Sequence, residues 1–272
     1  MESVEPGRGI VPSPTDPTPA SAERVVEAIE AQVSYLRIAL ATPAGDGWIA
    51  TSDLLGDPDL LAASIRSTAA GRGAPDDQVA ASLWFQAYAF RAALPVLAPS
   101  ALGIDGLSAD PADTHIRIAR HRPAAIAVTS VDLVDRSPGE AAADLFDGHL
   151  RLVVDAVSDA VRVGQRLLWG NAAASCATVL RALDGAPGAD RAAVQRCGEA
   201  FVQASPWIHG LGTFDEVVEG DQVGWFWTRT NCCLWDRCEG AARCDDCSLT
   251  SAPDLDASRR AGLRRQADEV AS

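Results

Sequence analysis

The chain has 272 residues, of which 47% are hydrophobic and 22% are charged, an ordinary globular composition with ample material for a core. Its formal net charge is −14, so its surface repels phosphate backbones and anionic lipid headgroups. We therefore expect neither a nucleic-acid partner nor binding to an anionic membrane surface. The sequence contains no uncharged apolar stretch of about 18 residues, so we also expect no membrane span.

The first part of the chain, residues 1–20, is rich in Pro, Ser, Thr and Gly. Such a segment cannot bury enough apolar surface to fold, and we expect it to be a disordered tail. It also lacks the basic region followed by an apolar run that marks a secretory signal. A cytoplasmic location is therefore expected.

The hydrophobic pattern after the tail predicts a mostly helical chain. Apolar residues recur at helical spacing over the segments 21–40, 60–70, 78–94, 140–168, 171–182, 189–204 and 256–270. Pro95 and Pro99 are expected to end or kink the third of these helices, because proline cannot donate a backbone hydrogen bond. Gly170 and Asn171 are expected to interrupt the helical region that follows residue 140.

Two regions of the sequence predict β-structure. Residues 115–133 first alternate and then become apolar and β-branched, which predicts two strands joined as a hairpin. Residues 206–220 are expected to form a loop, and residues 223–228 a strand that leads into the cysteines. The expected fold class is therefore α+β, predominantly α-helical, with a small β-hairpin and a cysteine-rich C-terminal subdomain.

The cysteines are concentrated near the end of the chain. Five of the seven lie between positions 232 and 247, and their spacing is Cys232-Cys233, ten residues, Cys244, two residues, Cys247. Thiolates are soft ligands that suit iron–sulfur clusters or zinc, and a Cys-x-x-Cys pair is the usual way to turn two of them onto one metal centre.

The adjacent pair Cys232-Cys233 is the unusual part of this spacing. In an extended segment, neighbouring side chains point to opposite faces, so both thiolates can reach one site only through a local turn. A cluster with two irons relaxes that demand, while zinc sites with four cysteines typically use two Cys-x-x-Cys knuckles. The spacing alone leaves both iron–sulfur and zinc open.

Two segments resemble a known family. Residues 229–235, Arg-Thr-Asn-Cys-Cys-Leu-Trp, with Cys-Asp-Asp-Cys at 244–247, resemble the C-terminal signature of the FhuF-like siderophore-iron reductase family. Residues 167–173, Leu-Leu-Trp-Gly-Asn-Ala-Ala, resemble a recurrent segment of the same family. Two features depart from the family pattern, since Ser248 replaces a frequent proline and Cys238 is an extra cysteine inside the ten-residue spacer.

The resemblance implies a cofactor, a reaction and a division of the chain. It implies one [2Fe-2S] cluster on the four matching positions, Cys232, Cys233, Cys244 and Cys247. The cluster would reduce ferric iron held in a hydroxamate siderophore in the cytoplasm. The expected division is a tail at 1–20, a mainly helical substrate-binding region at 21–222 and a cluster-binding subdomain at 223–272.

The remaining site residues and partners follow from the same resemblance. Arg229 and Trp235 are candidate neighbours of the cluster, whereas Cys238 is not expected to be a ligand. An external electron donor, a ferredoxin or a reductase, is expected because neither Gly-x-Gly segment has the strand-turn-helix context of a nucleotide fingerprint. Two alternatives stay open, namely a zinc-stabilised binding module and a relative of siderophore-biosynthesis enzymes, both without redox activity.

Charge predicts a preference among substrates. The chain carries −14, and residues 229–247 contain four acids against three bases. Since like charge lowers encounter rates, cationic or neutral trihydroxamates are expected to react faster than anionic chelates. A local basic group at Arg117, Arg120 and Arg122 is the one feature outside the C-terminal tail expected to be able to reverse this.

Overall fold

Helices form most of the structure, a computed structural model that describes residues 21–41 and 45–271. With a small sheet beside the helices, the fold is the predominantly helical α+β class that the sequence predicts. The tail expected at 1–20 lies outside the described residues.

Pairs of short strands separate groups of helices along the chain. The α-helices are α1 (Ala22–Gln32), α2 (Thr51–Gly56), α3 (Pro58–Arg72), α4 (Asp77–Leu102), α5 (Pro138–Ala143), α6 (Arg151–Ala160), α7 (Gln165–Asp184), α8 (Arg191–Ala204) and α9 (Ala252–Ala271). A π-helical segment, Asp144–Leu150, joins α5 to α6, and one-turn 3₁₀ helices lie at Pro111–Asp113 and Trp235–Arg237. The strands are β1 (Ile38–Leu40), β2 (Trp48–Ala50), β3 (Thr114–Ala119), β4 (Arg122–Val128), β5 (Gly212–Glu219) and β6 (Gln222–Arg229).

The longest helix, α4, runs through the middle of the core. The Asp76 side chain caps its start by accepting from the Val79 amide at 2.9 Å. The helix continues through Pro95 and Pro99 to residue 102, so these prolines do not end it, and the expected alternative of a kink stays a prediction. Because Pro99 has no N–H, the carbonyl of Pro95 has no donor within the helix, and the Leu107 amide takes that place at 3.0 Å. Both prolines are fully buried, so packing of the helix into the core offsets the lost hydrogen bonds.

Several other expected boundaries differ from the structure. The first helix ends at residue 32, and residues 38–40 instead form a strand parallel to β4. The helix expected over 140–168 contains the π-helical segment and breaks at 161–164, while Gly170 and Asn171 lie inside α7 rather than interrupting it. The loop expected at 206–220 contains β5, whose polar residues gave no strand pattern and whose pairing with β6 decides its conformation.

The hairpin predicted over residues 115–133 is formed by β3 and β4. These strands form the centre of a four-stranded sheet with the order β1-β4-β3-β2. The two turn residues, Arg120 and His121, both have positive φ, 50° and 63°, as the tightest hairpin turns require. Helix α3 holds this turn, because Thr68 Oγ1 donates to the His121 carbonyl at 2.7 Å. The position of the next residue, Arg122, is thereby fixed against the helices.

The second hairpin, β5-β6, packs directly on the helices. The ring of Trp225 stacks on Phe214 with centroids 3.7 Å apart, and it lies against Gly198 of α8, where an added Cβ would overlap the indole. Trp225 and Trp227 belong to the same buried cluster as the helices. The boundary expected between residues 222 and 223 lies within strand β6, and the division of the chain there stays a prediction.

A buried polar pair joins α4 to the π-helical segment. The hydroxyl of Tyr88 lies 2.6 Å from His149 Nε2, and His149 Nδ1 lies 2.7 Å from the Ala109 carbonyl. A carbonyl can only accept, so Nδ1 carries the proton and Nε2 accepts from the tyrosine hydroxyl. Complete burial lowers the pKa of His149 to about 4, so the ring is neutral in the folded protein at pH 7.

The His149 pair predicts acid sensitivity of the fold. As pH falls from 6.5 to 4, the unfolded chain binds a proton at His149, whereas the folded protein does not. The free energy of unfolding therefore decreases. The loss reaches a few kcal/mol, at about 1.4 kcal/mol per unit of pKa shift. Denaturant unfolding of wild type and His149→Gln, repeated from pH 7 to pH 4.5, measures it. The variant is expected to show the shallower pH dependence.

The exposed His209 provides the control. His209→Gln should reproduce the pH dependence of the wild type, because this side chain is solvated in the folded and unfolded states alike. If His149→Gln and wild type give parallel curves, the buried neutral state of His149 is disproved.

Candidate functional site

Two of the predicted ligands come together in the loop after β6. The sulfur atoms of Cys233 and Cys244 lie 3.6 Å apart. Two thiolates bound tetrahedrally to one metal, each at about 2.3 Å, are separated by about 3.8 Å. The spacing of this pair therefore fits two ligands of one metal ion. Both thiols are free of disulfide bonds.

The other two predicted ligands have different surroundings. Cys232 donates from its thiol to Asp236 Oδ1 at 3.2 Å and accepts from the Leu234 amide at 3.2 Å. Cys247 is buried, and its amide donates to the Cys244 carbonyl at 3.2 Å, which closes the Cys-x-x-Cys turn. In the ranges that the structure describes, no three metal-ligating side chains converge. The Cys232 thiol is thus held by Asp236 and is not part of the Cys233–Cys244 pair.

A tight turn directly follows the adjacent pair Cys232-Cys233. Leu234, directly after Cys233, has φ +66°, a left-handed conformation that reverses the chain into the short 3₁₀ helix at 235–237. An L-residue with a branched side chain adopts this conformation only where surrounding contacts impose it.

The surroundings of Cys233 favour its thiolate form. The hydrogen bond between the two sulfurs lowers the pKa of Cys233 and raises the pKa of Cys244. The positive charge of Arg229 also lowers the pKa of Cys233. At Cys232 burial has the opposite effect and raises the pKa of the thiol to about 11. Cys233 is thus the thiol of this pair whose surroundings favour the thiolate form that binds metal.

Arg229, at the end of β6, is a buried cation beside these thiols. Its side chain is fully buried, Nε donates to Asp246 at 2.9 Å, and Nη1 donates to Asn171 at 3.4 Å. Nη2 is buried without a hydrogen-bond partner among the described residues. An unpartnered buried donor costs about 1–3 kcal/mol. A cluster bearing anionic sulfur fits this environment, since its sulfurs accept hydrogen bonds from such donors.

A buried polar network holds the cysteine loop on the helices. Asn171 Nδ2, in α7, donates to the carbonyl and hydroxyl oxygens of Ser82, in α4, at 3.0 and 2.8 Å. Ser82 Oγ donates to the carbonyl of Cys233 at 2.7 Å. Arg229 donates to Asn171 Oδ1, so the network joins two helices, the end of β6 and the cysteine loop.

Gly170 allows the cysteine loop to approach α7 closely. An added Cβ at this position would overlap the side-chain amide of Asn231, the residue before Cys232. The same amide donates to the carbonyls of Arg166 and Leu167, each at 3.4 Å. The cysteine loop therefore packs on the segment 167–173.

A cavity of about 420 Å³ opens in front of the paired cysteines. Its wall includes Cys233, Cys244, Trp235, Arg72, Arg91 and Arg122. The first three were singled out from the sequence, and the cavity places Trp235 beside two predicted ligands. Of the expected basic group, Arg122 lines the cavity, but Arg117 and Arg120 do not.

The remaining cysteines lie in apolar surroundings. Cys238 packs with Val79 and Leu83 of α4 and does not line the cavity, and burial raises its pKa. Cys176 and Cys197 are buried within α7 and α8, and burial raises the pKa of both thiols. All three are placed to contribute packing.

Sequence reasoning missed several residues of this site. Ser82, Arg72 and Arg91 carry no local pattern, and only tertiary packing brings them to the cysteines. Asn171 did carry a signal, because it is a polar residue within an alanine-rich helix that is buried over most of its length. A buried amide of that kind must find partners, which here are Ser82 and Arg229.

The close packing at Gly170 predicts a large effect of a small substitution. Gly170→Ala should displace Asn231 and the cysteine loop, and we expect the midpoint of thermal unfolding to fall. Gly262→Ala is the matched control, since Gly262 also lies within a helix but an added Cβ there meets only ordinary van der Waals contact. Removing a helical glycine favours the folded state by about 0.5–1 kcal/mol, so the control should be neutral or stabilising. Equal midpoints for the two variants would contradict the close packing of the cysteine loop on Gly170.

Comparison with known proteins identifies a matching family. Residues 82–210 match the family model described as ferric iron reductase FhuF-like transporter. The matched segment contains Ser82, Gly170 and Asn171 but ends before Cys232, so the predicted ligands lie outside it. A search of curated proteins finds no match. Within the described part of the chain, every helix is too short or too polar to cross a membrane.

Proposed function

Residues 82–210 belong to the FhuF-like ferric iron reductase family, and on that premise we propose that this protein reduces ferric iron held in a hydroxamate siderophore. The proposed cofactor is one [2Fe-2S] cluster on Cys232, Cys233, Cys244 and Cys247. The observation that carries the proposal is the cavity lined by Cys233 and Cys244. A chelate inside this cavity lies against two of the four proposed ligands, so the electron has a short path.

The chemistry of the substrate explains why one electron suffices. Ferric iron is a hard, highly charged ion that hydroxamate oxygens bind tightly, and ferrous iron is larger and less charged. Reduction therefore releases the metal and leaves the chelator intact. When bound, the cluster supplies that electron at a low potential. The proposed setting is the cytoplasm, where thiols stay reduced, with a ferredoxin or a reductase as electron donor.

The residues of the chain fit the proposed cofactor in three ways. Cys233 and Cys244 already have the separation of two ligands on one metal. Arg229 brings a buried positive charge and a free N–H donor beside these thiols. Ser82 fixes the Cys233 backbone through its carbonyl. Together these contacts support a preformed half-site, which Cys232 and Cys247 complete.

The cofactor proposal predicts a metal content and a pattern among cysteine variants. Anaerobically purified protein should contain about two irons and two labile sulfides per chain, as one [2Fe-2S] cluster requires. Cys244→Ser should lose most of this iron, because it removes half of the preformed pair. Cys238→Ser is the matched control and should keep the full content, since Cys238 packs against α4. Stoichiometric zinc in place of iron, or equal iron loss in both variants, would overturn the assignment.

The reaction itself is tested by release of ferrous iron. Holoprotein is reduced, freed of reductant by gel filtration and mixed with a ferric trihydroxamate in the presence of a ferrous-specific chromogenic chelator. Wild type and Cys238→Ser should form the coloured ferrous complex within the mixing experiment, and Cys244→Ser should not exceed the protein-free background. A wild-type rate equal to that background would exclude ferric reduction.

A further inference from the structure

The cavity in front of Cys233 and Cys244 has a strongly cationic wall. Three arginines line it, and none of its lining residues in the described part of the chain is Asp or Glu. We propose that this cavity selects ferric chelates that carry net negative charge, with Arg72, Arg91 and Arg122 as the specificity-determining residues. This inference rests on the proposed function and names its substrate class, and it reverses the preference expected from the charge of the whole chain.

The three arginines come from separate parts of the fold. Arg72 ends α3, Arg91 lies within α4, and Arg122 begins β4. No carboxylate of the described residues lies within ion-pair distance of any of them. Their guanidinium groups are therefore available to a ligand.

Three other arginines near the site are paired with carboxylates. Arg229 pairs with Asp246 at 2.9 Å, and Arg181 pairs with Asp245 at 2.7 Å. Arg237, two residues after Trp235, pairs with Asp76 at 2.7 Å. The absence of carboxylates thus distinguishes the cavity from its surroundings, where acidic and basic groups alternate.

Packing holds the cationic groups close together. The docked turn at His121 fixes the start of β4, and the guanidinium of Arg72 lies 5.4 Å from the centre of the Trp235 ring. Burial lowers the pKa of Arg72 and of Arg91, and the nearby charge of Arg122 lowers both further. This mutual repulsion is relieved when an anion enters between them.

Local contacts outweigh the net charge of the chain at physiological ionic strength. Salt screens charges beyond about 8 Å, so most of the −14 acts weakly on a molecule inside the cavity. The proposed cluster contributes −2 when oxidised, which the three arginines exceed, and −3 when reduced, which they balance. Because a guanidinium matches a carboxylate with two parallel hydrogen bonds, chelates with carboxylate groups are the chemical class that this wall fits best.

The test separates charge from coordination chemistry. Three chelates share one linear trihydroxamate and differ only at a remote amine, which is free and cationic, acetylated and neutral, or succinylated and anionic. Loaded with gallium(III), which has the charge of ferric iron and accepts no electron here, they report binding to oxidised holoprotein by titration calorimetry. Loaded with iron, they report the rate at which reduced holoprotein is reoxidised.

The expected order of affinity at physiological ionic strength is anionic, then neutral, then cationic. Arg72→Gln, Arg91→Gln and Arg122→Gln should each weaken binding of the anionic gallium chelate by about two- to fivefold, the effect of losing one partly exposed ion pair. Arg117→Gln is the matched control, because it removes the same charge from the same hairpin outside the cavity. It should leave all three affinities unchanged.

The outcomes distinguish this inference from the proposed function. Equal affinities for the three gallium chelates, or the same loss in Arg117→Gln as in Arg122→Gln, would overturn the charge selection even if every iron chelate is reduced. If the gallium chelates bind in the expected order but none of the iron chelates reoxidises the protein, the charge selection holds and ferric reduction is wrong.

Discussion

The buried network of Ser82, Asn171, Arg229 and Cys233 is the interaction on which the rest of the site depends. A guanidinium with no exposed side-chain surface is tolerable only if its charge and donors are satisfied, and Asp246 and Asn171 meet that demand in part. Asn171 in turn is held by Ser82, whose hydroxyl fixes the Cys233 carbonyl. The position of the cysteine loop is thereby determined by the contact between α4 and α7 in the core. Removal of any one member leaves buried polar groups unpaired.

The family-matched segment and the cysteine loop contribute different parts of the site. The family-matched segment, 82–210, contributes the helices that seat the loop and two of the three cavity arginines, Arg91 and Arg122. The four cysteines proposed as ligands follow outside it. The cavity exists only where these parts meet, so a variant in α7 such as Gly170→Ala acts on the same structure as a change in the loop itself.

The sequence predicted those features that local patterns determine. The β3-β4 hairpin, helix α8 and the strand leading to the cysteines were predicted because periodicity and flanking turns mark them. Pro95 and Pro99 misled the prediction, since burial of α4 and an outside donor for the Pro95 carbonyl replace what proline removes. Strand β5 was missed because its polar residues are ordered by pairing with β6.

The candidate site divides in the same way. The cysteine spacing was visible in the sequence, as was the position of Trp235, two residues after Cys233. The cationic wall was not, because Arg72, Arg91 and Arg122 are separated by 19 and 31 positions and meet only through tertiary packing. Of the three arginines noticed on the hairpin, a two-residue turn brings only Arg122 to the cavity. The net charge of the whole chain therefore does not describe the charge of this wall.

The central claim is that the cysteine loop holds a redox-active cluster that passes its electron to ferric iron. The visible spectrum of anaerobically purified protein, recorded through one cycle of reduction and mixing with one equivalent of ferric trihydroxamate, tests it most directly. We predict a red-brown absorption that bleaches on reduction and returns when the chelate is added. A colourless protein, or an absorption that bleaches and does not return with the chelate, would contradict it.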